Sequence, residues 1–379
     1  MIYLDNSATT RAFDVAAEAV NRYMTENFFN PAAAYSPAVA AERDVEAARE
    51  RFARALKAVP EEILFTSGAT ESNNMAILGS LRAMRGGGRV IVSMVEHPSV
   101  YECVRTLSGA YEVADAGVDC LGQLDMGKLE ALLTPDTLLV SVMQVNNEVG
   151  AVNDMEAVYK LVKRKAPQAV VHCDGVQGFL KVPFDAKNAD LYSVSAHKFH
   201  GPKGVGALYV KKGLRFAGGQ SGGGQEKNLR SGTLNTPGIM GMDAALQFYV
   251  KNLARFSDSM YACKRRLAER LTALPQVVLN GPPIDESAPH ILNASFLGVH
   301  GEVLLHALEA KEIYVSTGSA CSAHKAGKNR ILTAMGITGE RREGAIRFSF
   351  SPMNTVAEID TAADAIKEIL PALRRYARR

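Results

Sequence analysis

Between residues 61 and 210, short β-branched or apolar runs alternate with stretches of helical period, and no other feature of this 379-residue chain constrains its fold as much. The runs lie at 63–65, 90–92, 111–113, 138–142, 170–172, 191–194 and 206–210. Segments of helical spacing at 72–84, 99–107, 129–133 and 155–165 fall between most of the early ones. Parallel neighbours need a crossover of a dozen or more residues, and helices that supply it cover the sheet on both faces. A mostly parallel, seven-stranded α/β sheet is therefore predicted. Residues 196–205 are too few for a helical crossover, so the last two runs are expected to pair antiparallel.

Helices at 14–24 and 38–58 precede this sheet. After it, apolar residues recur at helical spacing through Met242, Leu246, Tyr249, Leu253, Tyr261 and Leu267, with no proline between Pro237 and Pro275. One long helix, or two in line, leads out of the first unit. A strand at 291–296, a helix at 302–308, a strand at 345–350 and a closing helix at 357–376 then describe a smaller α+β unit. The expected division is a large α/β domain with its N-terminal arm over 1–250 and a small domain over 251–379. The 43 basic and 40 acidic side chains leave a net charge of +3 without a long like-charge block, which offers no footprint for nucleic acid or a membrane surface. No stretch approaches the roughly 18 apolar residues of a spanning helix. Asp5 also stands where a secretion signal would be basic and then apolar, so a cytoplasmic protein is expected. The five cysteines are odd in number, scattered and never in a C-x-x-C pair, which points to neither a disulfide framework nor a metal site.

The segment S-V-S-A-H-K-F-H-G-P-K-G-V-G from Ser193 places Lys198 directly after an apolar strand and before a Gly-Pro turn, where a strand end meets a cleft. It is a candidate Schiff-base lysine, although a lysine there also reads as an ordinary loop residue. A Schiff base points to pyridoxal phosphate, which needs an anion site, a carboxylate for the pyridine nitrogen and a group against the ring. T-S-G-A-T-E from Thr66 follows a strand and opens a helix, so its N–H groups and the Thr70 hydroxyl could face a phosphate or simply cap the helix. Asp174 closes the 169–173 strand, at the sheet edge where open α/β folds bind ligands; it is equally a turn residue. His97, in E-H-P, could stack on a flat ring or serve as a structural imidazole. Cys321 sits in S-T-G-S-A-C-S-A-H-K-A-G-K among small, polar and basic residues, which favour an exposed thiol with a raised thiolate fraction. Cys103, Cys173 and Cys263 lie in apolar periodicity and read as core, and Cys120 has no basic neighbour. Arg347 is a charge inside an apolar strand and needs an anion, either a substrate carboxylate or an internal Asp or Glu.

Together these segments resemble the cysteine desulfurases of the NifS and IscS type, class V members of the fold-type I pyridoxal phosphate enzymes. The markers run nearly end to end: Y-L-D-N-S-A-T-T from Tyr3, N-P-A from Asn30, F-T-S-G-A-T-E-S-N-N from Phe65, E-H-P from Glu96, V-N-N-E-V-G from Val145, H-C-D-G-V-Q from His172, S-A-H-K-F-H-G-P-K-G-V-G from Ser195, R-S-G-T-L-N from Arg230, S-T-G-S-A-C-S from Ser316 and I-R-F-S from Ile346. The resemblance implies that Lys198 carries the cofactor, Asp174 pairs with its ring nitrogen, and His97 stacks on the ring and moves protons. By the same likeness Gln177 and Asn147 lie near the ring hydroxyl and the substrate, while Ala69, Thr70, Ser195 and His197 hold the phosphate. Thr233 reaches the phosphate of a partner subunit, Arg347 grips the substrate carboxylate, and Cys321 is the nucleophile that takes sulfur from L-cysteine. A homodimer and a sulfur-acceptor protein, serving iron–sulfur cluster assembly or tRNA thiolation, are implied as partners. A selenocysteine lyase or a class V aminotransferase is the neighbouring alternative. The chain stops at Arg379, short of the C-terminal extension with which IscS-type enzymes contact their scaffold, so the resemblance leaves the acceptor open.

Overall fold

The computed structural model describes residues 1–84, 86–317 and 329–377. Its strands in chain order are β1 (Ile2–Tyr3), β2 (Ile63–Thr66), β3 (Arg89–Ser93), β4 (Glu112–Ala116), β5 (Thr137–Met143), β6 (Val170–Asp174), β7 (Leu191–Ser195), β8 (Gly206–Val210), β9 (Val277–Asn280), β10 (Ile291–Phe296), β11 (Ile313–Tyr314) and β12 (Ala345–Ser349). Strands β2 to β8 form one seven-stranded sheet in the order 2-8-7-6-5-3-4. The neighbours from β4 to β7 are parallel, whereas β8 runs antiparallel to both β7 and β2. The ten residues between β7 and β8 thus produce the antiparallel pair that their length predicted.

Alternation along the strands buries both faces of this sheet. Val90, Val92 and Leu139 pack into one apolar layer, while Ile91, Val140 and Val142 pack into the other around Phe52, Phe199 and Tyr249. Helices start where short polar side chains satisfy free backbone donors. Asp154 accepts from Ala157 N–H at 3.0 Å to open Met155–Lys165, whose last turn carries Lys163, Arg164 and Lys165 against the negative helix end. The long helical tract is two helices, Thr236–Lys251 and Leu253–Thr272, broken at Asn252.

A three-stranded antiparallel sheet, β12-β10-β9, builds the smaller unit around Leu292, Phe296, Phe348 and Phe350. Two features there carried no periodic signal. Strand β9 begins two residues after Pro275, and β1 is only two residues long, pairing in parallel with β11. Leu4, next to β1, is fully buried in this second core, so the first residues of the chain cross to the smaller sheet.

Candidate active site

A cavity of about 470 Å³ opens at the carboxyl ends of β3, β5, β6 and β7. The fold brings nine of the expected residues to it: Ala69, Thr70, His97, Asn147, Asp174, Gln177, Ser195, His197 and Lys198. Thr233 is exposed, close to Arg230, whose Nε donates to Glu71 at 2.9 Å, and Arg347 lies beyond the lining. Cys321 falls outside the described residues.

One wall is the start of the helix Ala69–Arg82, whose first N–H groups have no acceptor within the helix. Gly68 makes the turn into it at φ 146°, a conformation that a side chain would strain. Gly206 lets this turn approach β7: a Cβ there would sit 2.8 Å from Gly68 Cα and 2.5 Å from the Val194 carbonyl oxygen. The helix start, Ser195 and His197 therefore converge on one corner. His197 Nδ1 lies 3.1 Å from Thr9 Oγ1, and burial beside Lys198, Lys203 and Lys181 pulls its pKa down to about 3.

Asp174 ends β6 and is 4% exposed. Its Oδ2 accepts from Asn73 Nδ2 at 2.9 Å and its Oδ1 from Val176 N–H at 3.0 Å, so amide dipoles hold the carboxylate. Glu96, fully buried nearby, is pushed well above the usual carboxylate range by burial and then by the Asp174 charge. His97 caps the helix Pro98–Arg105; its Nδ1 accepts from Ser99 N–H at 3.2 Å, which leaves the proton of the neutral ring on Nε2. Burial lowers the His97 pKa, against the pull of Asp174, and Lys198 lowers it further.

Lys198 Nζ donates to the carbonyls of Ser7 (2.6 Å) and Ala8 (2.8 Å). The N-terminal arm is pinned over this lysine by Thr10 N–H and the Thr10 hydroxyl, each donating to the His197 carbonyl at 3.0 Å. Gln177 Nε2 donates to the same Ser7 carbonyl at 3.0 Å. On the small-unit side, Arg347 is 5% exposed, donates to Asp5 Oδ1 at 2.7 Å and to the Asn147 carbonyl at 3.1 Å, and keeps a buried Nε without a partner among the described residues. Of the two anions the sequence left open for Arg347, the internal one is present, and it is Asp5.

These groups fit pyridoxal phosphate. A helix start with a polar corner suits a phosphate, and an anionic acceptor buried on amide dipoles suits a charged ring nitrogen. The Asn147 Oδ1 atom, on a residue that lines the cavity, is buried without a partner among the described residues, polar capacity that the protein alone leaves unused there.

Five contributors were given no role in the sequence reading. Asn73 sits one turn into the helix whose start was recognised, and that spacing was the available signal. The Ser7 and Ala8 carbonyls, Asp5 and His290 are joined to the site only by tertiary contact.

The family model described as Aminotransferase class-V matches residues 2–361. The chain is 38% identical to the cysteine desulfurase IscS of Methanosarcina thermophila over 98% of its own length and 93% of that protein. Among solved structures, a NifS-like protein superimposes with a TM-score of 0.92 at 37% identity, covering 98% of this chain and 100% of the other. SspA in complex with cysteine follows at 0.82 and 29%, covering 93% and 99%. The chain thus belongs to the class-V aminotransferase family, among the cysteine desulfurases of the NifS and IscS type.

Proposed function

We propose that this protein removes sulfur from L-cysteine, leaving L-alanine and a persulfide on Cys321, which an acceptor protein then receives. It is a pyridoxal-phosphate-dependent cysteine desulfurase. The reading rests above all on the shared cavity of Lys198, Asp174, His97 and the Ala69–Arg82 helix start. Bound there, pyridoxal phosphate supplies an electron sink for the pair left behind when the substrate α-proton departs.

The chain's own groups do the rest. Ala69, Thr70, Ser195 and His197 hold the phosphate, and Asp174 keeps the ring nitrogen protonated. His97 covers the ring; being neutral, it can take up a proton without adding a standing charge beside Lys198. Lys198 Nζ would hold the cofactor, and the same amine is placed to take up the substrate α-proton and to return a proton to the product. Asn147 lies beside the substrate. Arg347, with its idle Nε and its bond to the Asn147 carbonyl, receives the substrate carboxylate. The Cys321 thiolate attacks the substrate sulfur: the carbon–sulfur bond breaks, a sulfur–sulfur bond forms, and the carbon fragment is reprotonated to alanine.

A homodimer in which Thr233 completes the neighbour's phosphate site, a cytoplasmic location, and delivery of sulfur to cluster assembly or tRNA thiolation complete the proposal. Among the described residues no helix is long and apolar enough to cross a membrane. The test incubates the protein with pyridoxal phosphate, L-cysteine and a reductant. Equal amounts of sulfide and alanine are expected, and Cys321→Ala should abolish sulfide release. Full release from that variant overturns the persulfide step, and accumulation of a keto acid in place of alanine favours an aminotransferase.

A further inference from the structure

His290 is 1% exposed, immediately before β10 in the smaller sheet, and its Nε2 lies 3.1 Å from Gln177 Oε1 in the cofactor cavity of the large sheet. The direction of this bond is fixed by its neighbours. The Ser7 carbonyl can only accept, so the Gln177 NH₂ must face it and the Gln177 oxygen must face His290. His290 therefore carries its proton on Nε2. Its Nδ1 is left bare, buried and without a partner among the described residues. An orphaned buried nitrogen is a cost, and among the described side chains Gln177 is the only hydrogen-bond partner His290 gains for it.

The geometry points to His290 as a positioning residue that acts through Gln177, clamping the carboxamide oxygen so that the NH₂ stays turned toward the Lys198 end of the cavity. Gln177 Nε2 and Lys198 Nζ share one acceptor, the Ser7 carbonyl. The cofactor's ring hydroxyl is ortho to the ring carbon that bears its aldehyde, the group with which Lys198 would form a Schiff base, so a donor beside Nζ would stand near that oxygen. The inference rests on the reading of this cavity as a pyridoxal phosphate site. Burial, and then the charges of Lys181, Lys264, Arg347 and Lys198 from four separate segments of the chain, hold His290 neutral, which preserves a single donor at Nε2.

The test is a pH titration of the visible absorbance of the holoenzyme, comparing wild type, His290→Leu and His290→Asn, with cofactor content and Tm measured alongside. A donor to the ring oxygen favours its anionic form and lowers the midpoint. His290→Leu should therefore raise the midpoint by about half a pH unit or more. His290→Asn, which keeps an N–H, should restore most of it. A purely structural role predicts a lower Tm with an unmoved midpoint. An unmoved midpoint in the leucine variant, or an asparagine variant that titrates like the leucine one, overturns the proposal. Absence of the visible band in wild type would instead overturn the cofactor reading and this inference with it, and only that failure shows in the unaltered protein.

Discussion

Asp174 and Arg347 are both buried charges in sheets, and the protein neutralises them in opposite ways. Asp174 stands at a strand end, where an asparagine side chain and a turn amide can reach it. Arg347 stands in the middle of β12, opposite Asn293, where strand neighbours offer no charge, and its partner Asp5 is 342 residues away. A strand end lets dipoles hold an ion and leave its charge available for chemistry, whereas mid-strand burial demands a counter-ion. The first arrangement suits a catalytic group and the second a recognition group that exchanges one anion for another.

Lys198 tests the strand-end side of this contrast most severely. On the proposed reading, Lys198→Ala removes the amine that both anchors the cofactor and moves the α-proton. Alanine and sulfide production should fall by at least about 10³-fold. Borohydride reduction followed by mass spectrometry should find the cofactor on Lys198 in wild type and nowhere in the variant. Covalent label at another lysine would displace the whole assignment.

If dipoles suffice for Asp174, its charge matters more than any one dipole. Asp174→Asn keeps the shape but cannot hold a ring nitrogen protonated, and activity should drop on the order of 10²-fold. Asn73→Ala removes one amide donor and should cost only about tenfold. Equal losses from the two substitutions would mean that the amide, not the charge, is essential.

What the chain disclosed in its sequence follows the same division. Strand-end groups sit next to local signals: Asp174 closes an apolar run, Lys198 follows one, and Ala69 and Thr70 lie between a strand and a helix. The central sheet was legible for the same reason, since its strands alternate with helices of normal length. Asn73 was hidden because its carboxylate partner, Asp174, lies 101 residues away, and helical spacing by itself gives a polar residue there no role. Asp5 and His290 were invisible because nothing within ten residues of either contains its partner. Strand β1 eluded the reading because two residues have no period.

Asp5→Asn probes the mid-strand side. It leaves a guanidinium that is almost fully buried with only carbonyl acceptors, and unfolding in urea should show a loss of about 2–3 kcal/mol, somewhat below the usual figure because Asp5 is 19% exposed. The double variant Asp5→Asn with Arg347→Met should recover part of that loss, since an apolar side chain of similar length suits the strand. Strict additivity would show that Asp5 acts independently of Arg347.

Glu148 handles buried charge in a third way, by keeping a proton. It lies in the loop after β5, 5% exposed, accepts from Asn329 Nδ2 at 2.6 Å, and passes its backbone carbonyl to Asn293 of β10 at 3.2 Å. Burial raises its pKa to about 7 against the weaker pulls of Asn329, Arg347 and Arg330. Below the unfolded carboxyl pKa of about 4.3 both states are protonated and nothing depends on pH. Above it the unfolded chain loses a proton that the folded chain retains. Stability therefore falls as pH rises toward 7 and levels off beyond it, by at most about 4 kcal/mol. Glu148→Gln keeps an oxygen for Asn329 and has nothing to titrate. Its unfolding free energy should match wild type near pH 4 and exceed it by about 2–3 kcal/mol near pH 8. Parallel curves for the two proteins across that range would mean that Glu148 is buried as a charged carboxylate and return it to the class of Asp174.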